Sequence, residues 1–334
     1  MKRISILIPE GDISLSNVEG VHHIFTEANK WLERKGKPSG FQIQMVGKEK
    51  SSTMKEGYFS IQPKHRTFEN MVSDLVIIPA LHTDVHRGLE KNRDLIPWIL
   101  DQHRKGAEIM SLCTGAFLLA ATGLLDGKQC TTHWIHAHEL QEEFPKVHII
   151  HDEIITDECG IYTSGAAYSY LNLILYYLEK FHGREMVLFL AKVFAIDINR
   201  RSQADFIIFH GYKNHSDTQI LQVQDYLEAN YAQPVSVDVL ATKVALGRRN
   251  FERRFKKATK TSIISYLQRV RVEAAKKQLE IGSENISEVQ YKVGYSDPKA
   301  FRDVFKKITG LTPLEYKNKF HIMDPVKAYS HSLQ

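Results

Sequence analysis

The sequence predicts two fold classes in one chain: an α/β domain with a largely parallel sheet, followed by an all-α domain. Three observations support this prediction. Short apolar runs alternate with helix-like stretches over the first 200 residues. Strand-like runs disappear after residue 218, where amphipathic helical stretches follow one another. A segment of this second part also recurs fifty residues further along the chain.

The first part contains five short runs with β-branched content, which are predicted as buried strands. They are Ile4–Ile8, Phe41–Val46, Leu75–Pro79, Glu108–Leu112 and Val147–Ile150. Helices are predicted between and after these strands at His22–Arg34, Leu95–Lys105, Asn172–Lys180 and Glu185–Val193. We therefore expect an α/β domain over residues 1–200 and an interdomain linker over 201–217.

The second part contains seven predicted helices, separated by Gly and Pro breaks. They are Ile220–Asn230, Val237–Val244, Arg248–Ala258, Ile263–Leu279, Ile286–Val293, Pro298–Lys307 and Pro313–Phe320. We expect an all-α domain over residues 218–320 and a loose tail over 321–334.

The balance of acidic and basic residues changes at the same boundary. The 334-residue chain carries a formal net charge of +5. Residues 1–217 hold 24 Lys/Arg and 27 Asp/Glu, whereas residues 218–334 hold 20 and 12. Basic charge concentrated in the smaller part is typical of a nucleic-acid-binding domain, although a solvated Lys-rich surface would look the same.

The cysteines and the apolar segments indicate in which cellular compartment the protein works. Cys113, Cys130 and Cys159 lack metal-type spacing, and their odd number argues against a disulfide framework. The N-terminal apolar run ends at Pro9, too early for a signal peptide, and no stretch approaches the length of a membrane span. We therefore expect a cytoplasmic protein without a membrane partner.

The repeated segment indicates two similar helix-turn-helix units. Phe255–Tyr266 matches Phe305–Tyr316 without a gap, including the Phe, the Lys-Lys pair, the Thr and the closing Tyr. In each copy, apolar residues at helical spacing precede and follow a short turn that contains Gly247 or Gly294. Two such units suit adjacent major-groove faces of a duplex, which lie about 34 Å apart.

The outer faces of the second helices carry the candidate DNA contacts. If the Phe side chains are buried, the outward positions are Arg248, Arg249, Asn250, Arg253 and Lys256 in the first copy, and Lys299, Arg302, Asp303 and Lys306 in the second. Arg can bind guanine through two hydrogen bonds and Asn can bind adenine in the same way. Asp297 is predicted to cap the second of these helices and Pro298 to begin it.

These motifs resemble the DNA-binding domain of AraC/XylS-type transcription regulators. The resemblance rests on the stretches 249–256, Tyr266–Arg271, 286–289 and 293–307. The sequence departs from the family pattern at Gly247, Ile263, Gln290 and Asp303, where the family usually has Ser, Pro, Ala and Arg. Asp303 matters most, because a carboxylate near DNA phosphate should weaken the second unit's contacts.

A cysteine lies at the turn between a predicted strand and helix. Glu108–Ala120 runs from an apolar strand through Cys113, Thr114 and Gly115 into a helix. A helix N-terminus favours a thiolate, and a sharp turn would expose the thiol as in a nucleophile elbow. The alternative is a buried cysteine that acts as a small apolar residue.

This elbow, with Thr131–Trp134, resembles the ThiJ/PfpI superfamily, which has a class I glutamine amidotransferase-like, flavodoxin-like fold. The likeness covers about residues 3–200 and is greatest to the branch in which this domain is fused to an AraC-type domain. Enzymes of the superfamily pair the cysteine with an acid and often a histidine. The resemblance places the pocket at Cys113, Thr114, His133 and Asn17, with Asn17 at the position of the acid.

Asn17 cannot exchange a proton as a carboxylate does, so the resemblance implies a retained pocket with weakened chemistry. Glu10 or Glu19 could substitute, although nothing in the spacing requires it. The histidines at 82, 86, 133, 136 and 138 lack a recognised metal spacing, so neither a metal nor a cofactor is expected.

The resulting hypothesis is a bacterial, nucleoid-associated transcription regulator, with an N-terminal domain that senses a small molecule. Its expected partners are double-stranded DNA, an unidentified effector, RNA polymerase and a second copy of the chain. An activator is expected, while the sequence leaves activation and repression open. The alternatives are a cysteine-dependent hydrolase or hydratase fused to a DNA-binding domain, and a structural DNA-coating protein, which would leave the pocket without a purpose.

Overall fold

The computed structural model describes residues 1–321 except Ser39 and Thr83. The chain divides into two compact units between Gln203 and Ala204. Residues 201–217, predicted as a linker, are thus shared between the two units. Most of the predicted tail, residues 322–334, lies outside the described residues.

The first unit is built on a seven-stranded sheet. Its strands are, in spatial order, Ile155–Glu158, Ile161–Ser164, Glu108–Leu112, Leu75–Ile78, Lys2–Ile8, Phe41–Gly47 and His65–Arg66. All neighbouring pairs are parallel except the hairpin of the first two strands. The predicted α/β class with a largely parallel sheet is therefore confirmed.

Helices cover both faces of this sheet, because its central strands are apolar on both faces. Along Lys2–Ile8, Ile6 packs into one core and Leu7 into the other. The first core is covered by the helices Leu15–Arg34, Tyr170–His182 and Arg184–Val193. The second is covered by the helices Val85–Asn92, Ile96–Arg104, Ala116–Ala121 and Ala137–Glu143.

Two predictions in this unit were wrong in detail. Val147–Ile150 forms only His148–Ile149, which pairs with Gln129–Cys130 outside the main sheet. The first helix begins at Leu15 and not at His22, since the Ser14 side chain caps it by accepting from the Asn17 N–H at 3.4 Å. A small hairpin, Ser52–Met54 with Phe59–Ile61, was also not predicted.

The second unit is helical, and all seven predicted helices are present. They span Thr218–Ala229, Val237–Lys243, Arg248–Thr259, Ile263–Ile281, Ile286–Lys292, Pro298–Thr309 and Pro313–Phe320. No strand occurs in the described residues of this unit, 204–321. We call Arg248–Thr259 and Pro298–Thr309 the first and second recognition helices, and Ile263–Ile281 the connecting helix.

The connecting helix contributes to two separate cores. Its first half places Tyr266 and Val270 in a core with Phe251 and Phe255. Its second half places Ala275 and Leu279 in a core with the corresponding side chains of the second recognition helix. Each helix-turn-helix therefore has its own hydrophobic core, and one continuous helix joins the two.

Residues of the predicted linker form hydrogen bonds within each unit. On the first unit, the Gln203 Nε2 atom donates to the backbone carbonyls of Thr132 and His151, both at 3.0 Å. On the second, the Phe209 N–H donates to the Glu273 carboxylate at 3.1 Å. The buried Lys276 donates to Glu273 at 3.0 Å as well, so the stretch after Ala204 packs as part of the helical unit.

Candidate functional site

The two helix-turn-helix units match in side-chain environment as well as in sequence. Residues 251–260 and 301–310 have the same order of buried, half-buried and exposed positions throughout. The ring centroids of Phe255 and Tyr266 lie 5.5 Å apart, and those of Phe305 and Tyr316 lie 5.4 Å apart. The sequence repeat is thus a structural duplication.

Polar contacts are duplicated too. The Thr259 hydroxyl donates to the Phe255 carbonyl at 2.8 Å, and Thr309 donates to the Phe305 carbonyl at 2.9 Å. The closing tyrosines each donate to a glutamate, Tyr266 to Glu228 and Tyr316 to Glu280, both at 2.5 Å. Sequence reasoning did not find these acceptors, because they lie outside the repeated segment.

The face of the first recognition helix that was predicted to contact DNA is exposed. Its residues are Arg248, Arg249, Asn250, Arg253 and Lys256. Their surroundings differ. Arg248 forms ion pairs with Asp238 at 3.1 Å and Glu252 at 3.2 Å. Arg253 donates to the Asn250 side-chain oxygen at 2.9 Å, so these two groups form one polar unit on the outer face. DNA contact by Arg248 would have to replace its ion pairs.

The second recognition helix exposes Lys299, Arg302, Asp303 and Lys306. Asp297 caps this helix by accepting from the Lys299 N–H at 2.9 Å, and Pro298 begins it, which confirms both predictions. The first recognition helix starts after Gly247, which offers no side-chain cap. The two helices therefore differ in the cap and in the Asp303 carboxylate.

Two further arginines have positioning roles. Arg254 pairs with Asp217 at 2.7 Å and holds the pKa of that carboxyl below its usual value, which ties the first recognition helix to the start of Thr218–Ala229. Arg271 of the connecting helix donates to the Tyr231 carbonyl at 2.7 Å and stacks over Tyr295 at 5.2 Å. These contacts orient the two cores about the connecting helix.

In the first unit, Cys113 adopts a backbone conformation expected of an elbow. Its φ of 55° lies in the left-handed region, which is strained for a residue with a side chain. A Cβ atom at Gly115 would lie 2.6 Å from the Ile78 carbonyl oxygen, so the turn after Cys113 requires glycine. The sequence prediction of a sharp strand-to-helix turn is confirmed.

The prediction of an exposed thiol that favours the thiolate was wrong. Cys113 is only 7% exposed. Burial raises the pKa of its thiol to about 11, against the opposing effect of hydrogen bonds from Thr114 and from the His133 backbone. Desolvation of the charged form therefore outweighs these hydrogen bonds, and a pKa of about 11 leaves the thiol protonated at neutral pH.

The residues around Cys113 are held by backbone contacts. The Thr114 hydroxyl donates to the Leu81 carbonyl at 2.7 Å, and the Thr132 hydroxyl donates to the Cys113 carbonyl at 2.8 Å. The fully buried Asn17 accepts from the Ala80 N–H at 3.0 Å. Within the described chain, the Asn17 amide nitrogen has no hydrogen-bond partner.

His133 presents its backbone to the thiol, while its ring lies beside Trp134 and His136, with centroids 5.5 and 6.3 Å away. Burial lowers the pKa of His133, and the neighbouring His136 lowers it further. The two candidate replacement acids are directed elsewhere: Glu10 lies 3.4 Å from Lys48, and the exposed Glu19 lies 3.3 Å from His23.

Two of the other candidate histidines, His86 and His136, contact carboxylates. His86 contacts Glu139 at 2.7 Å and Glu143 at 3.1 Å, and His136 contacts Glu139 at 2.9 Å. Among the residues that the structure describes, no group of three or more His, Cys, Asp or Glu side chains is arranged to hold a metal ion. The same residues include no helix that is both long and apolar enough to cross a membrane.

Comparison with known proteins assigns a class to each unit. Residues 21–180 match the DJ-1/PfpI family, and residues 240–319 match a helix-turn-helix domain family. The first match agrees with the α/β sheet and the Cys113 elbow. The second covers both recognition helices. The chain therefore joins a DJ-1/PfpI domain to an AraC-type helix-turn-helix domain.

Curated proteins similar to this chain are HTH-type transcriptional regulators. The chain is 26% identical over 235 residues to the HTH-type transcriptional regulator GbdR of Pseudomonas aeruginosa, covering 70% of this chain and 64% of the relative. It is 27% identical over 213 residues to the HTH-type transcriptional regulator GlxA of Rhizobium meliloti, covering 63% and 65%. The matched region thus spans just under two thirds of these relatives.

A solved structure confirms the fold of the first unit. The crystal structure of a candidate transcriptional regulator from Vibrio parahaemolyticus superposes with a TM-score of 0.51 at 24% identity. It covers 57% of this chain and 98% of the other.

Proposed function

We propose that the protein is a sequence-specific, DNA-binding transcription regulator whose DJ-1/PfpI domain senses a small molecule. The observation that carries the DNA-binding part is the duplication: two helix-turn-helix units with matching buried cores and exposed basic recognition helices. The net charge of the C-terminal part supports it, with 20 Lys/Arg against 12 Asp/Glu over residues 218–334. The regulator names of the curated relatives support the same function.

The proposal includes the partners. Double-stranded DNA is the target, and the protein works in the bacterial cytoplasm, on the nucleoid when bound. A second copy of the chain and RNA polymerase are further proposed partners, because a regulator acts at a promoter. A DNA-coating role is less well supported, since it gives the elbow of the first unit no purpose.

The test of DNA binding is removal of two exposed arginines from the first recognition helix. In the Arg249→Ala/Arg253→Ala variant, each lost base contact should cost about 1–3 kcal/mol, so affinity for the native promoter should fall about thirtyfold or more. Binding is measured by mobility shift at fixed salt. The matched control is Arg87→Ala/Arg104→Ala, which removes two exposed arginines from the first unit. Equal affinity of the two variants would contradict the assigned reading face.

We propose the elbow as the sensing site. The backbone N–H groups that face the Cys113 sulfur can bind an acceptor, so an anionic or carbonyl-bearing effector fits best. Buried polar atoms without partners in the described chain support a ligand here: the Asn17 amide nitrogen, and the hydroxyls of Ser111 and of Ser164, which pairs with Leu112 in the sheet. The effector would regulate by binding one conformation of the protein better than another.

We further propose that the elbow does not turn over a substrate. An amide replaces the acid, the thiol is protonated, and Glu10 and Glu19 face other partners. The test is Cys113→Ala, which should leave folding and DNA affinity intact while changing the response to inducer. Hydratase, amidase, protease and glyoxalase assays of the unmodified protein should show negligible turnover. Robust turnover that Cys113→Ala abolishes would establish the enzyme alternative.

A further inference from the structure

A short segment of the helical unit contacts both helix-turn-helix units. We call residues 204–212 the strap; apart from the single turn Ala204–Phe206, they contain no regular secondary structure. They belong to the same compact unit as the two recognition helices. The sequence predicted a linker here, whereas the contacts of these residues bind them to the helical unit along their whole length.

The start of the strap is fixed to the second helix-turn-helix. The buried Asp205 carboxylate accepts from the Lys319 ammonium group at 2.6 Å. The ring of Phe206 meets that of Phe320 edge-on, with centroids 5.4 Å apart, and Lys319 lies 4.9 Å from the centroid of Phe206. Because Phe320 packs against the core of the second helix-turn-helix, this end of the strap is joined to that core.

The other end of the strap packs against the first helix-turn-helix. The ring centroid of Phe209 lies 5.2 Å from that of Tyr266 and 5.4 Å from that of Tyr212. The Tyr212 carbonyl accepts from the Gln224 side-chain amide at 3.0 Å. Both Phe209 and Tyr212 pack against the first core. Residues 206–209 therefore join the two cores by a second route, beside the connecting helix.

A buried ion pair on the connecting helix holds the middle of the strap. Glu273 and Lys276 are 9% and 3% exposed, and their charged groups lie 3.0 Å apart. Lys276 also donates to the Ile207 carbonyl at 2.5 Å, and Glu273 accepts from the Phe209 N–H at 3.1 Å. Charges buried to this degree are costly unless their hydrogen-bonding groups have partners. The strap supplies a partner to each charge, which favours its attached position.

We propose that the strap positions the two recognition helices relative to each other and makes the protein selective for the spacing of a two-part DNA site. Asp205 and Phe206 are the positioning residues, since they hold the strap to the second helix-turn-helix. The inference rests on the proposed function, because it names the form of DNA that the same helices would read.

The physical basis is the loss of freedom between the two cores. One added base pair moves the second part of a site by about 3.4 Å along the duplex and turns it by about 35°. Two units that are joined by both the connecting helix and the strap cannot follow this change. Arg271 joins the two cores from a different face of the connecting helix, so release of the strap should loosen their arrangement without separating them.

The experiment measures how the full chain binds DNA sites of different spacing, by mobility shift. The probe is a site that the unmodified protein selects from random duplex DNA, with versions that carry one base pair inserted at each position in turn. Insertion between the two parts should weaken binding by the unmodified protein at least about tenfold, because base contacts of one recognition helix are lost. In Asp205→Asn/Phe206→Ala this penalty should fall at least about threefold, since a looser pair of units can adapt to either spacing.

The matched control is Ile208→Ala, which alters a side chain of the same strap that is 44% exposed and should keep the full penalty. Phe206→Ala alone should lower the penalty less, and it provides the test if the double variant does not fold. Thermal unfolding establishes that each variant is folded.

Two results would overturn the proposal. One is an unchanged insertion penalty in the folded strap variants. The other is an equal loss of affinity for both spacings, because a strap that only stabilises the unit changes affinity without changing spacing preference. If the unmodified protein binds DNA without any spacing preference, this inference fails and the proposed function stands. If it selects no DNA, the proposed function fails, and this inference fails with it.

Discussion

The alkylation rate of Cys113 directly tests whether burial suppresses the reactivity of the thiol at the elbow. With a pKa of about 11, roughly 0.03% of the thiol is ionised at pH 7.5, against roughly 9% for an ordinary cysteine with a pKa near 8.5. Since the thiolate is the reactive form, Cys113 should react with iodoacetamide roughly 300-fold more slowly than an ordinary thiol, before any further slowing by restricted access.

The direction in which the alkylation rate changes with pH follows from the burial of the thiol. Burial penalises the charged thiolate, so a more alkaline solution is needed to form it. The rate should rise about tenfold per pH unit from 7.5 to 9.5, with no plateau in that interval.

The assay is peptide mass spectrometry after timed alkylation, and the chain supplies its own standards. Cys159 is exposed, in a hairpin turn, and should react rapidly. Cys130 is buried, with a pKa raised by burial to about 12, and should react as slowly as Cys113 or more slowly. If Cys113 reacted as fast as Cys159 at pH 7.5, or its rate levelled off below pH 9, the elbow would activate the thiol and the argument from burial would be refuted.

The other predictions concern the asymmetry of the two recognition helices. Asp303→Arg should tighten DNA binding and steepen the slope of log affinity against log salt by about 1, measured by titration at several salt concentrations; equal binding at every concentration would show that Asp303 does not face the backbone. Asp297→Ala should lower the free energy of unfolding by about 1 kcal/mol in urea titration, because a side-chain cap is lost. Gly247→Ser should raise it by a few tenths of a kcal/mol, and a loss of stability there would contradict the assigned cap position.

The helical unit could be predicted almost completely from the sequence, for a physical reason. Each helix has to bury one face, and Phe251 and Phe255 repeat at the spacing that does so, as do the equivalent residues fifty positions later. Local signals also fix the helix ends, as Pro298 does for the second recognition helix. In the sheet, the same method found the central strands, which are apolar on both faces.

The three strands of the main sheet that were not predicted lack that pattern. One of them, the interior strand Ile161–Ser164, carries Thr and Ser at two of its four positions. His65–Arg66 is two residues long and lies at the sheet edge, and the edge strand Ile155–Glu158 carries polar residues at three of its four positions. Conversely, Val147–Ile150 is apolar because it packs under a helix, although it does not enter the main sheet. Apolar content reports burial and does not specify the strand partner.

In the candidate site too, features set by local sequence could be predicted, whereas contacts with distant parts of the chain could not. The outer face of the first recognition helix could be predicted from helical spacing alone, but the ion pair of Arg248 could not, because Asp238 lies on another helix. The burial of Cys113 could not be predicted from the local sequence either. It depends on Thr132 and His133, which approach the elbow from a separate stretch of chain.

The elbow carries uncharged groups, the Asn17 amide and the protonated Cys113 thiol, and this bears on its proposed role as a sensing site. A carboxylate at position 17 would be buried, and desolvation would make its charged form costly. The Asn17 side-chain oxygen accepts from the Ala80 N–H, and its amide nitrogen adds a donor without adding charge. Together with the N–H groups of Thr114 and His133, that donor favours hydrogen-bond acceptors over cations. Under the proposed sensing role, an amide in place of the family's acid would remove a proton-transfer group and favour an anionic or carbonyl ligand.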